Sequence, residues 1–315
     1  MADVFLAMRR GFGGFAKLVV VKRLRHSVDH DMISMFADEA KLAARLNHPN
    51  VVQTFHADED QLEMEFLDGQ AFNRVIKRAK KLGRTIDLDL ALVVIKDVLA
   101  ALSYAHDLKD FDGKALNVVH RDVSPQNVFL TYDGKVKLID FGIAKSADQD
   151  ELTKIGVVKG KVTFMAPEQA AGSFVDRRVD IFATGILLWE LLTGQRYWGK
   201  ASEAEIVRRL RTGDLPPSPR SVNPDISPEL ASICSRALSF DREERFATAG
   251  DFLSALEAAA PTQATVRPRL GELVASLFGE ARYGPRVCTS TKRRPGSHAS
   301  MRVSQRIGSG PSRMR

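Results

Sequence analysis

His120-Arg121-Asp122, followed five residues later by Asn127, is the part of this sequence best equipped for chemistry. The run reads V-V-H-R-D-V-S-P-Q-N-V-F-L, with Val118-Val119 leading in and Val128-Phe129-Leu130 closing it. A loop held between two apolar anchors can aim the Asp122 carboxylate and the Asn127 amide at one site. The carboxylate can accept a proton from an incoming hydroxyl, and the amide oxygen can ligate a hard cation such as Mg²⁺. Alone, the run reads equally well as a charged loop between strands. Its meaning depends on whether the rest of the chain supplies phosphate, metal and substrate handling.

The elements that must position this loop follow from pattern. Residues 3–7 and 17–24 are predicted strands, the second rich in β-branched side chains and ending near Lys22. The glycines of R-R-G-F-G-G-F between them suit a hairpin turn; the segment is not G-x-G-x-x-G and leads into a strand, so it is not read as a phosphate loop. His26 and His30 share a four-residue spacing but have no third ligand nearby and read as surface residues. Apolar residues recurring at three and four predict a helix over 32–46 that carries Glu39. Residues 51–55 and 62–67 read as two more strands. Beyond Gly69 the texture turns helical, with a long helix over 88–106. After the loop, a turn at Tyr132-Asp133-Gly134 precedes a strand V-K-L-I that ends at Asp140-Phe141-Gly142. An irregular polar segment over 143–165 leads to Ala166-Pro167-Glu168. Helices are predicted over 180–193, 203–211, 228–239 and 248–259, and the prolines from Pro216 predict a loop. The fold class is α+β: a small β-rich part with one helix, then a larger helical part, with the cleft between them the expected ligand site.

Composition sets limits. Apolar and charged fractions of 44% and 27% are those of a globular protein. Cys234 and Cys288 are too few for a disulfide framework or a zinc site. No apolar run reaches the length of a membrane span, and Asp3 stands where a leader peptide needs basic residues, so a cytoplasmic protein is expected. The net charge of +7 belongs to the tail: residues 261–315 hold eleven Lys/Arg against Glu272 and Glu280, leaving the first 260 residues slightly acidic.

Lys22 after V-V-V, Glu39 on the next helix, H-R-D at 120–122, Asn127, D-F-G from 140 and A-P-E ending at 168 together resemble the protein-kinase signature set, in order. The nearest resemblance is to the eukaryotic-like serine/threonine kinases of bacteria, over about residues 2–259. It implies a bilobal kinase domain over 1–260, with an N-lobe over 1–67 and a C-lobe over 68–260. It also implies ATP and Mg²⁺ as cofactors and protein Ser/Thr hydroxyls as substrates. Lys22, paired with Glu39, is then expected on the α- and β-phosphates. Asp140 and Asn127 are expected on the metal, and Asp122 on the substrate hydroxyl. Val4, Val20 and Phe129 would sandwich adenine, with Met64 as gatekeeper and the backbone of Glu65 and Leu67 meeting the ring's edge; plain core packing is the competing reading of these apolar positions. Glu168 and Arg245 resemble the buried pair that anchors the activation segment, and Asp180 the aspartate that braces the catalytic loop. Gly142 completes D-F-G. Arg121 would pair with a phosphate on the activation segment, at Thr153 in preference to Thr163 or Ser146.

Departures from the pattern are as informative. Ser124 stands where such kinases usually carry lysine, Lys161 where many have threonine, and Val20 where alanine is usual. M-A-D-V resembles only the end of a glycine-rich loop, with Val4 as its closing valine. The first strand and the loop's glycines are therefore expected to be missing, and the neighbouring strand to be an exposed edge. Apolar positions 270, 273, 274, 277 and 278 predict a helix over about 270–282 in the 261–315 tail, and the Gly/Ser/Pro/Arg-rich remainder reads as disordered. Its serines are candidates for self-phosphorylation, and no specific nucleic-acid partner is expected. An active kinase in bacterial signalling is the leading functional reading. A catalytically impaired kinase-fold scaffold is the alternative, and small-molecule phosphotransfer is disfavoured by the A-P-E ending.

Overall fold

The structure, a computed structural model, describes residues 2–25, 30–58, 60–141, 161–279 and 301–306. These fall into two compact units, the first built from residues up to 47, 52–68 and 301–306, the second from 48–51 and 69–279.

In the first unit, β1 (Ala2–Arg10) and β2 (Ala16–Leu24) form an antiparallel hairpin in register from Ala2↔Leu24 to Arg10↔Ala16. Its turn needs Gly13 and Gly14, whose φ angles of 68° and 83° fall in the region that side chains resist. On its other side β2 pairs with β4 (Gln61–Glu65), and β4 with β3 (Thr54–Ala57). Helix α1 (His30–Ala43) lays Phe36 and Ala40, one turn apart, onto Leu24, Leu62 and Met64, with Val20 packed against them.

The outer edge of β1 departs from expectation. A strand from the tail, β8 (Met301–Arg306), pairs with it antiparallel, giving the order β3-β4-β2-β1-β8. The Gly/Ser/Pro/Arg-rich composition predicts no structure for this part of the tail, and the sequence predicts an open β1 edge. An open edge presents unpaired N–H and C=O groups, and Met301 and Val303 alternating with polar residues make an adequate partner strand.

The second unit is built around two helices that are buried on almost every side. They are α3 (Leu88–His106), apolar along most of its length but with buried Lys96 and Asp97 at its middle, and α5 (Arg178–Thr193), nearly uniformly apolar through its middle. A small antiparallel sheet lies beside them: β5 (Gly69–Ala71), β6 (Val128–Thr131) and β7 (Val136–Leu138). No sequence pattern marks strand β5; Gly69 allows it, because a Cβ there would lie 2.0 Å from the Leu130 carbonyl oxygen. Helix α2 (Phe72–Lys81) follows directly, and its Asn73 N–H donates to Pro125 O in the catalytic-type loop at 2.8 Å. Residues 48–51 join this unit through Asn50, whose amide donates to Val136 O at 3.0 Å.

After the loop come α4 (Pro167–Ala170), α6 (Glu203–Thr212), α7 (Pro219–Val222), α8 (Pro228–Ala237) and α9 (Ala249–Ala259). The single turn α7 interrupts the expected proline loop; Pro219 at its first position costs nothing, since that N–H has no helical partner. Helix α10 (Val266–Phe278) begins earlier than its apolar stripe suggested, since Pro268 in the first turn is tolerated. It is clamped on: Arg267 donates to both oxygens of buried Asp97 at 2.6 and 2.7 Å, and Arg78 reaches Leu277 O at 3.1 Å. Gly271 lets it approach the Tyr132-Asp133-Gly134 turn, where a Cβ would meet Tyr132 O at 2.6 Å. Among the described residues no helix is long and apolar enough to cross a membrane.

Candidate active site

The loop holding Asp122 is fixed from beneath by one buried carboxylate. Asp180, in the first turn of α5 and wholly inaccessible, accepts from the backbone N–H of His120 at 2.8 Å through Oδ2 and of Arg121 at 2.8 Å through Oδ1. Oδ2 also receives His106 Nε2 from the end of α3 at 2.9 Å. Burial alone would push this carboxyl up, yet the His106 hydrogen bond, the neighbouring histidines and the His120 N–H hold it below its ordinary value. Charge and backbone donors thus stabilise the anion, and the loop takes the shape that offers those donors. Arg121 pays conformationally, with φ of 61° in a region that non-glycine residues rarely enter.

His120 carries the order upward. Its Nδ1 accepts from the Asp122 N–H at 3.2 Å, so the ring proton resides on Nε2, which donates to Ile139 O at 3.2 Å. The ring also packs on buried Phe141, centroids 4.7 Å apart. His120 thereby links the Asp122 backbone to the strand end that carries Asp140. A second link runs through Asn127: its Nδ2 donates to Asp122 O at 2.8 Å, while Ile139 N donates to Asn127 O at 2.8 Å. With Nδ2 so engaged, the Asn127 side chain has Oδ1 as its metal-type donor. Asp140 is exposed and has φ of 55°. Two hard oxygen donors on segments tied together by the Ile139–Asn127 bond suit a cation such as Mg²⁺. Ser124 accepts the Asn127 N–H through its carbonyl at 2.9 Å, so the loop keeps its turn without a lysine there.

Glu168 and Arg245 meet, buried and bidentate at 2.7 and 2.8 Å. The remaining guanidinium capacity goes to the carbonyls of Ser239, Phe240 and Arg178, with the Phe182 ring 4.7 Å beneath. All five donors are used, which is what an ion pair at this depth requires. The segment just before α4 is held by Trp198, whose indole N–H donates to Thr163 O at 2.9 Å.

In the first unit, Lys22 lies on β2 across from Val4 on β1 and Leu62 on β4. Val20 faces Met64 in the same register, and both belong to the cluster beneath α1. Glu65 accepts the Gln53 N–H through Oε1 at 2.8 Å, and Leu67 is half-buried after β4. Glu39 lies on α1 between Phe36 and Ala40. Phe129, on β6 of the second unit, is half-buried between Ala71 and Lys137. The Glu39 side chain, Gly142, Ser146 and Thr153 lie outside the described parts. Two contributors carry no sequence motif. The only signal of His106 is a histidine ending an apolar helix just upstream of the loop; Trp198 was equally unmarked.

A profile of the protein kinase domain matches residues 2–256. The chain is 42% identical over 294 residues to a tyrosine-protein kinase, MasK, of Myxococcus xanthus, covering 91% of this chain and 45% of that protein. It is 36% identical over 261 residues to the serine/threonine-protein kinase pkn3 of Myxococcus xanthus, covering 77% and 45%. It is 32% identical over 297 residues to a probable serine/threonine-protein kinase of Streptomyces coelicolor, covering 89% and 41%. The chain thus spans less than half the length of each of these relatives.

Proposed function

The chain belongs to the protein kinase domain family, and from that premise we propose that it transfers the γ-phosphate of ATP to serine or threonine hydroxyls of proteins, with Mg²⁺, in bacterial signalling. The observation that carries the reading is the Asp122 loop, tied to the Asp140 strand through His120 and Asn127 and braced by Asp180. Asp122 orients the attacking hydroxyl and takes its proton as the oxygen bonds to phosphorus. Lys22, supported by Glu39, holds the α- and β-phosphates, and Val4, Val20, Met64, Glu65, Leu67 and Phe129 receive the adenine. Asn127 and Asp140 hold the cation, which when bound neutralises charge on the phosphates. Arg121 awaits a phosphate on the activation segment, at Thr153. A cytoplasmic setting, where ATP is available, goes with this reading, and a nucleic-acid partner forms no part of it.

A second reading is phosphorylation of tyrosine. It is favoured by the 42% identity to a protein named as a tyrosine kinase and by Ser124 in place of the lysine usual in serine/threonine kinases. One experiment separates the readings: incubate the purified chain with Mg²⁺, labelled ATP and a mixed protein substrate, then hydrolyse and identify the labelled amino acid. Label on serine and threonine, lost in Asp122→Asn, is the expected result. Label on tyrosine alone would transfer the assignment to the second reading, and no label on any substrate would refute both.

A further inference from the structure

Helix α2 carries a charge that its own unit leaves uncompensated. From Gly69 to Ile86 the chain holds six bases, Arg74, Lys77, Arg78, Lys80, Lys81 and Arg84, and no acid. Phe72, Val75 and Ala79 turn one side of α2 into the unit. Spacings of three and four gather Arg74, Lys77, Arg78 and Lys81 on the opposite side, in a stripe about 10 Å long. All six cations are exposed, and none meets a carboxylate among the described residues. Arg78 donates to Leu277 O at 3.1 Å, Arg84 to Ser276 Oγ at 2.9 Å, and Arg74 lies 5.9 Å from the Phe278 ring centre. These partners at the end of α10 are neutral, so they position three guanidiniums without cancelling their charge. Asp87 and Asp89, the next acids along the chain, are taken by Arg269 of α10. Elsewhere in the unit Arg178, Arg208, Arg245 and Arg267 each face a carboxylate. The repulsion concentrated on α2 is of the kind that an external polyanion relieves.

We propose that this face of α2, with the turn after it, docks on an anionic membrane surface. The turn supplies the second observation: Leu82 is 47% exposed between Lys81 and Gly83, whose φ of 66° lifts the chain away from the helix. Cations at lipid phosphates, with one apolar side chain dipping beneath the headgroups, make up the chemistry of an interfacial contact. A nucleic acid would use the same cations but gains nothing from an exposed leucine, and no exposed aromatic stands among them to stack on a base. Docking would favour transfer to substrates near that surface; this consequence rests on the proposed function, whereas the docking does not.

The test measures sedimentation of the full chain, without ATP, with vesicles of phosphatidylcholine alone and of phosphatidylcholine mixed with phosphatidylglycerol. Binding is expected to the mixed vesicles only, and to vanish in molar salt, where the screening length falls to about 3 Å. Lys77→Gln, Lys80→Gln and Lys81→Gln combined should weaken it on the order of 10²-fold, about fivefold per cation. Lys292→Gln, Arg293→Gln and Arg294→Gln combined, which remove three tail cations instead, should bind as the parent does. Loss in the tail variant with parent-like binding by the α2 variant would give the binding to the tail and overturn the proposal. Leu82→Trp reads the docking without removing any charge. Its emission should shift to the blue with the mixed vesicles, above the background of buried Trp189 and Trp198, and no shift overturns the contact at the turn. Binding to duplex DNA or to polyglutamate at the same salt, with none to the mixed vesicles, overturns the membrane assignment in favour of a nucleic acid or an acidic protein. Since no step uses ATP, failure here leaves the kinase reading intact.

Discussion

The two units hold their candidate site residues by different physical means. In the second, Asp122 and the Glu168 anchor depend on buried, hydrogen-bonded charges, at Asp180 and at Arg245. In the first, Lys22 and Met64 are placed by sheet register and by an apolar cluster under α1. A matched polar network fails when one member is lost, because the remaining charge is stranded in a dry site. An apolar cluster weakens by degrees, in proportion to the volume removed. The difference predicts abrupt responses to mutation in the second unit and graded ones in the first.

The largest effect should come from Arg245→Met, which strands buried Glu168. Chemical denaturation is expected to show a loss of about 3–5 kcal/mol. Adding Glu168→Met should restore most of it, since the pair is then replaced by apolar groups; a double variant as unstable as the sum of the singles would contradict the network view. Met64→Ala in the first unit should cost about 2–4 kcal/mol by leaving a cavity. No second substitution elsewhere in the sheet should rescue it. At the small end, the exposed Lys41–Asp38 pair on α1, at 3.1 Å, should contribute no more than about 0.5 kcal/mol, so Lys41→Ala should leave the denaturation midpoint almost unchanged.

A pH response sharpens the same contrast. The folded-state value of Asp180 lies below the ordinary 3.8, so its contribution is fully present above that value and is lost as pH falls through the lowered one. Amide exchange at His120 and Arg121 should therefore accelerate at the acid end of that window. Asp180→Asn should remove the dependence on pH, and amides of the α1 cluster should not follow it.

What the sequence disclosed follows the same division. The H-R-D and A-P-E stretches were legible because the chemistry demands particular residue types at short spacings, and α3 because a long apolar helix admits few other states. Residues without local signals were opaque: His106 acts on Asp180 across 74 positions, a contact that no periodicity reveals. Strand β5 depended on a steric allowance at Gly69, and β8 on an edge whose vacancy lies far away in sequence. The start of α7 was the exception, for Ser218-Pro219 is a helix-start signal that the surrounding prolines obscured.

The central claim, that Asp122 does the chemistry and Asp180 only holds it in place, is tested most directly by measuring phosphoryl transfer and thermal unfolding together for Asp122→Asn and Asp180→Asn. Asp122→Asn should unfold within a few degrees of the parent while transfer falls about 10²–10⁴-fold. Asp180→Asn should lose stability and transfer together. Transfer at the parent rate by Asp122→Asn would contradict the account.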